Sequence, residues 1–225
     1  MSKKIKGFFD DQEGIYKKFS GKMNEAIKEG LLPDPVLLGR KGGYIIALSP
    51  HKDVVSALSV LSQKIRKIVP NAVVYGRDQI HTTFSDHMNE DGFDPKNDFK
   101  HRQKLNALNG VVKKVFSNRS AGACCYEGCV FDRTTLIVKG IPSKEFVTAA
   151  EAVVKEAEKN NIELRMPWGA HITLVRFDRE YPSEISEKLK EICISWNPPV
   201  GYFTWESVFA GWYTAKKNSF QLYKA

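Results

Sequence analysis

From Gly42 onward the apolar residues fall into blocks whose spacing alternates between that of a strand and that of a helix. Tyr44-Ile-Ile-Ala-Leu48 is a continuous apolar run and reads as a buried strand. Beyond Ser49-Pro50, apolar residues at Val54, Leu58, Leu61, Ile65 and Ile68 recur every three or four positions, which predicts a helix to about residue 69. A short strand over 72–75 follows, then a second over 79–85. The acidic stretch 86–98 reads as a loop, and a helix over about 99–116 closes the first half. The second half opens with a hairpin over 122–139 that turns near Phe131-Asp132-Arg133. Its second strand, 134–138, leads through Ile141-Pro142 into a helix with Phe146, Ala149, Val153 and Ala157 on one face. Ile162-Glu-Leu164 and a strand over 170–176 come next. Residues 201–225 read as a long aromatic hairpin that turns near 215–218.

The two halves carry the same order of strand, proline, helix, strand and histidine-bearing strand. Pro50 precedes His81 by 31 residues and Pro142 precedes His171 by 29, the mark of an internal duplication. Residues 1–38 stand outside this pattern. They form a polar lead-in with a helix near 10–29, stopped by Pro33-Asp34-Pro35.

Composition narrows the function classes. With 225 residues, 42% of them hydrophobic and 27% charged, the chain has the apolar content of a folded protein rather than of a disordered or collagen-like one. No run approaches the roughly 18 apolar residues of a membrane span, and the basic start meets Asp10-Asp11 instead of an apolar signal core. The expectation is a soluble cytoplasmic protein without a membrane partner. The 34 Lys and Arg against 26 Asp and Glu give a net charge of +8, which favours anionic partners such as nucleotides or RNA, although 25 of the 34 are scattered lysines. Cys124, Cys125, Cys129 and Cys193 contain no C-x-x-C pair and read as buried free thiols. The stretch 87–98 has His and Asp where a calcium loop needs Asp and Glu at its first and last ligand positions, so it reads as a lid beside the cleft. His51 and His101 fall at helix starts and are expected to be exposed.

The chemistry lies in the two duplicated strands, which contain His81-Thr-Thr-Phe84 and His171-Ile-Thr-Leu174. In a strand, residues two apart share a face, so each copy offers an imidazole beside a hydroxyl while Ile80, Phe84, Ile172 and Leu174 turn to the core. Lobes facing each other would bring the two pairs over one cleft. One neutral imidazole can take a proton from an attacking hydroxyl while the other, protonated, gives one to a leaving oxygen, with no metal or cofactor. Thr83 and Thr173 would donate to non-bridging phosphate oxygens. Trp168 could stack on a base or serve packing alone. Arg176 could meet a phosphate, but alternation puts it opposite His171 unless the strand bulges.

Ile-His-Thr-Thr-Phe at 80–84 and Ala-His-Ile-Thr-Leu-Val-Arg at 170–176 resemble the motifs of the two-histidine (2H) phosphoesterase superfamily, which includes 2′-5′ RNA ligase-like proteins and cyclic nucleotide phosphodiesterases. The resemblance covers about residues 42–225. It implies an α+β fold, with two pseudo-symmetric lobes of antiparallel sheet backed by helices around a central cleft. It also implies His81 and His171 as acid and base, with Thr83 and Thr173 binding phosphate. The chain then divides into an N-terminal helical extension, 1–38, and a bilobal domain, 39–225. It departs from the ligase-like branch at Ser85-Asp86-His87, where that branch continues with apolar residues. The expected activity is metal-independent cleavage of a nucleotide or RNA-end phosphodiester, a 2′,3′-cyclic phosphate or a 2′-5′ linkage, by a monomer with no obligate protein partner. The alternatives are a 2′-5′ RNA end-joining ligase and a non-catalytic nucleotide- or RNA-binding module.

Overall fold

The apolar run at 44–48 is the heart of β1 (Lys41–Leu48), an interior strand buried along almost its whole length because apolar clusters cover both its faces. One edge pairs with β9 (Val208–Lys216) over all eight residues; the other pairs with β3 (Thr82–Asp86) and, at Lys41 and Gly42, with β4 (Glu90–Asp91). With β10 (Ser219–Lys224) beyond β9, these strands form the first sheet. The second sheet runs in the order β2 (Val73–Val74), β7 (His171–Arg176), β6 (Thr135–Pro142), β5 (Gly122–Phe131) and β8 (Tyr202–Phe203). All of these pairings are antiparallel. The structure, a computed structural model, describes residues 3–39, 41–86, 90–91, 99–119, 122–196, 202–203 and 207–225. The expected lid over 87–98 therefore lies largely outside the described residues, as does Trp205, one of the aromatic residues of the expected hairpin over 201–225.

Among the described residues, six helices accompany the sheets: α1 (Lys3–Glu29), α2 (Pro35–Leu38), α3 (Lys52–Ile68), α4 (Phe99–Phe116), α5 (Lys144–Lys159) and α6 (Ser183–Ser195). One face of each sheet feeds a common apolar core. Ile46, Leu48 and Phe84 of the first sheet and Val138, Ile172 and Leu174 of the second meet Leu58 and Ile65 of α3, Leu108 of α4, Phe146 of α5 and Leu189 of α6. Phe84 stacks on Phe146 at 4.3 Å and takes Phe116 edge-on at 5.5 Å. The residues flanking the histidines, Ile80, Phe84, Ile172 and Leu174, are all buried there, so both motif strands are fixed from behind.

The sheets exchange chain. β2 precedes β3 in sequence but pairs with β7 across the molecule, through Val73 with Arg176 and Val74 with Val175. Reciprocally, Arg165 precedes β7 and bridges to Asp86 of β3, with its N–H donating to the Asp86 carbonyl at 3.0 Å. Each motif strand is thus flanked by chain from the other repeat.

Several elements differ from the sequence expectation. The N-terminal helix starts at Lys3 rather than near residue 10 and ends at Glu29, just before Gly30, whose φ of 82° is one that glycine adopts without strain. Residues 77–79 form a 3₁₀ turn, so β3 begins at Thr82 with His81 just ahead of it. The stretch 162–164 is not a strand and makes its contribution through the single Arg165 bridge. Helix α6 has no counterpart in the expectation, although Ile185, Leu189, Ile192 and Cys193 follow helical spacing. His51 is exposed as expected, but His101 is buried, with Nδ1 at 3.0 Å from the Tyr44 hydroxyl and Trp212 packed edge-on at 4.8 Å. The four cysteines are free thiols, three of them buried and Cys125 partly so.

Candidate active site

His81, Thr83, His171, Thr173 and Arg176 all line one cavity of about 290 Å³ between the sheets, together with Tyr75, Asp86, Arg165, Trp168, Tyr213 and Phe220. The two motif strands deliver their side chains in the same way. In β3, Thr83 pairs with Ala47 and Ser85 with Ile46, leaving Phe84 as an extra residue. In β7, Thr173 pairs with Ile137 and Val175 with Leu136, leaving Leu174 as the extra one. Each strand therefore bulges one residue past its threonine, and the bulge resets the alternation of faces. That is why Arg176, five residues beyond His171, reaches the cavity. Sequence alternation alone places it on the far side, with a bulge as the exception, and the exception holds. The same offset from His81 gives Asp86.

The imidazoles are held alike. His81 Nδ1 donates to the Gln79 carbonyl at 2.6 Å and His171 Nδ1 to the Gly169 carbonyl at 3.3 Å, in both cases the residue two before the histidine. A carbonyl only accepts, so Nδ1 carries the proton and Nε2 is left to exchange one with a ligand. Rings fix the planes. His81 lies parallel to Phe220 and to Tyr75, with centroids 6.3 and 6.4 Å away, and His171 stacks on Trp168 at 4.2 Å. Burial pushes both histidines down to about 4 against the pull of their carbonyl partners. Arg176 adds to both shifts, joined by Lys224 at His81 and by His81 itself at His171. Both rings are therefore neutral near pH 7 without ligand, and a phosphate between them would supply the negative charge that lets one take a proton.

Arg176 is oriented by buried partners. Its Nε donates to the Tyr75 hydroxyl at 3.0 Å and its Nη1 to Asp34 Oδ2 at 2.6 Å. Burial disfavours the guanidinium, but Tyr75 and Asp34 outweigh it and hold the pKa above the ordinary arginine value. Asp34 also accepts from the Thr135 hydroxyl at 2.9 Å and the Val36 N–H at 2.8 Å. Its sequence context, Pro33-Asp34-Pro35, signals only a helix stop.

Helix α1 braces the other histidine. Thr173 pairs with Ile137, so these two share a face of the second sheet, and Tyr16 of α1 packs on Ile137 and Val130. The Tyr16 hydroxyl accepts from the Gly140 N–H at 3.0 Å and donates to the Ala170 carbonyl, while Gln12 Oε1 accepts from the Ala170 N–H at 2.7 Å. The segment entering His171 is thus clamped by α1. Gly169 belongs to the same contact, since a Cβ there would stand 2.6 Å from the Gln12 side chain. Trp168 has Phe19 parallel at 6.3 Å and Tyr16 edge-on at 5.7 Å besides His171, so it packs the imidazole while still lining the cavity. Gln12, Tyr16, Asp34, Tyr75 and Phe220 all escape a reading of the sequence. Only Asp86 carries a local signal, the five-residue offset it shares with Arg176.

Among the described residues, no group of three or more His, Cys, Asp or Glu side chains is arranged to hold a metal ion, and no helix is long and apolar enough to cross a membrane. The cavity thus gathers two imidazoles, two threonine hydroxyls and a guanidinium, a set of groups whose chemistry suits a tetrahedral anion.

No family model matches the chain and no curated protein matches it. Solved structures that it is similar to include E. coli LigT, at 14% identity with a TM-score of 0.48 over 83% of this chain and 95% of that one. TT0787 of Thermus thermophilus matches at 16% identity and a TM-score of 0.44 over 76% and 86%. Kluyveromyces marxianus Usb1 with uridine monophosphate matches at 10% identity and a TM-score of 0.35 over 85% and 100%. The fold class read from the motifs, α+β with two antiparallel sheets and helices, is the one observed.

Proposed function

We propose that this protein is a metal-independent phosphodiesterase acting on a nucleotide or RNA-end phosphodiester, either a 2′,3′-cyclic phosphate or a 2′-5′ linkage. The observation that carries the reading is two imidazoles in one cavity, each fixed in the same tautomer by a carbonyl two residues upstream, with a threonine hydroxyl beside each. In this mechanism one histidine accepts the proton of the attacking water or hydroxyl through Nε2. The other, charged once the phosphate is bound, protonates the leaving oxygen. Thr83 and Thr173 donate to non-bridging oxygens, and the N–H groups of Arg176 not committed to Asp34 and Tyr75 face the charge that builds in the transition state. A cavity of about 290 Å³ suits a phosphate with its sugar rather than a long strand held throughout its length.

The reading is tested by incubating the protein, with EDTA present, with a panel of 2′,3′-cyclic nucleotides, 3′,5′-cyclic nucleotides and 2′-5′ oligoadenylates, and separating the products. Turnover of the first or third class, unchanged by the chelator, is the expected result. Turnover that EDTA abolishes, or that is confined to 3′,5′-cyclic nucleotides, would contradict it.

A further inference from the structure

The two motif strands are seated differently. β7 is an interior strand, paired with β6 on one edge and β2 on the other, and α1 clamps its entry. β3 stands at the end of its sheet, and on the edge away from β1 its described backbone pairing is the single Arg165 bridge at its far end. At its start, beside His81 and Thr83, a side-chain hydrogen bond ties it to the second sheet: the hydroxyls of Thr82 in β3 and Tyr126 in β5 lie 2.8 Å apart. Both residues are buried, so water does not replace this bond, and the other partner of the Tyr126 hydroxyl is the Cys124 thiol, a weak one. The matched residue of the second motif is Ile172, fully buried and apolar. An apolar side chain therefore serves packing at this position, and a buried hydroxyl pair stabilises little over apolar groups of the same shape. What the pair adds is a fixed distance and direction.

The attachments of Tyr126 give that direction a use. In the β5–β6 ladder it pairs with Gly140, and the Gly140 N–H donates to the Ala170 carbonyl at 2.9 Å. Ala170 immediately precedes His171. The path between the two histidines thus runs through Thr82, Tyr126, Gly140 and Ala170. Its third place calls for glycine, since a Cβ on residue 140 would stand 2.6 Å from the Ala170 carbonyl oxygen and 3.1 Å from the Cys124 sulfur. We infer that Tyr126 is a positioning residue for the acid–base pair, setting through Thr82 where His81 stands relative to His171. The inference rests on the reading of the cavity as a phosphodiester site. Two proton transfers at one phosphate need both imidazoles in place together, and a displacement of about 1 Å in such a group costs about 100-fold in rate.

The test is steady-state kinetics on the best substrate of the panel, with a melting curve for each protein. Tyr126→Phe and Thr82→Val are each expected to lose about 10- to 100-fold in kcat with KM within about 3-fold of wild type, the mark of an interaction that serves the transition state. Thr82→Ser, which keeps the hydroxyl, stays within about 3-fold of wild type in kcat. The Thr82→Val, Tyr126→Phe double variant leaves neither hydroxyl orphaned in the core. It melts closer to wild type than Tyr126→Phe does, yet its kcat stays as low as in the single variants. A kcat that recovers along with the melting temperature overturns the inference, since the pair then serves stability alone. So does a kcat within about 2-fold of wild type in both single variants. Either result leaves the phosphodiester reading standing, whereas a wild type that turns over no substrate of the panel overturns that reading and the inference with it.

Discussion

The two histidines behave unlike surface histidines because each lies against an aromatic ring in the cavity and spends its one donor on a carbonyl. Desolvation lowers both from 6.5 to about 4, which has a consequence for stability. Between those two pH values the unfolded chain binds more protons than the folded one, so stability rises with pH through this window. It is fully present above about 6.5 and declines as pH falls toward 4. Thermal melts from pH 7 to pH 4 are expected to show this decline, and a His81→Asn, His171→Asn double variant is expected to show a shallower one. Parallel slopes in the two proteins would mean that the imidazoles are not held neutral. Inorganic phosphate is expected to reduce the wild-type decline, since a bound anion stabilises the charged ring.

At the scale of elements, the site is assembled by strand bulges and by contacts that cross the molecule. The buried Asp34–Arg176 pair joins the segment between α1 and α2 to the end of β7, with side chains 4% and 19% exposed. Removing one member of such a pair leaves the other charge without its partner, which costs about 3–5 kcal/mol. Asp34→Ala is therefore expected to lower the unfolding free energy by about that much in urea titration, and a loss under about 1 kcal/mol would contradict the role assigned to the pair. None of this is visible in the local pattern. The periodicity of 44–48, 54–68 and 146–157 identifies β1, α3 and α5 because each buries a face in the common core, and β1 buries its other face in a second apolar cluster. The strand at 73–74 is legible as a strand, but its partner is not, since two apolar residues do not encode which edge they join. The bulges are hidden because the extra residues, Phe84 and Leu174, are apolar and core-facing, which is what an unbroken alternation from His81 and His171 also predicts for them.

Taken whole, the molecule has two similar halves that converge on one cavity, and the duplication seen in the sequence is what locates it. His81, Thr83, His171 and Thr173 meet there because matched positions of a duplicated strand arrive at the same place under a pseudo-twofold relation. The parts that break the symmetry are the harder ones to read. The segment 1–38 reads as a polar lead-in with a helix and a stop, yet Gln12 and Tyr16 clamp the entry to His171 and Asp34 orients Arg176, contacts between residues more than 100 positions apart. The central claim is that both histidines move protons in one reaction, and it is tested most directly by measuring kcat/KM of His81→Ala and His171→Ala separately, on the best substrate of the panel and beside a melting curve for each. Each variant is expected to fold and to lose about 100- to 10,000-fold, the range for removal of a general acid or base. Near wild-type turnover in either variant would contradict the account.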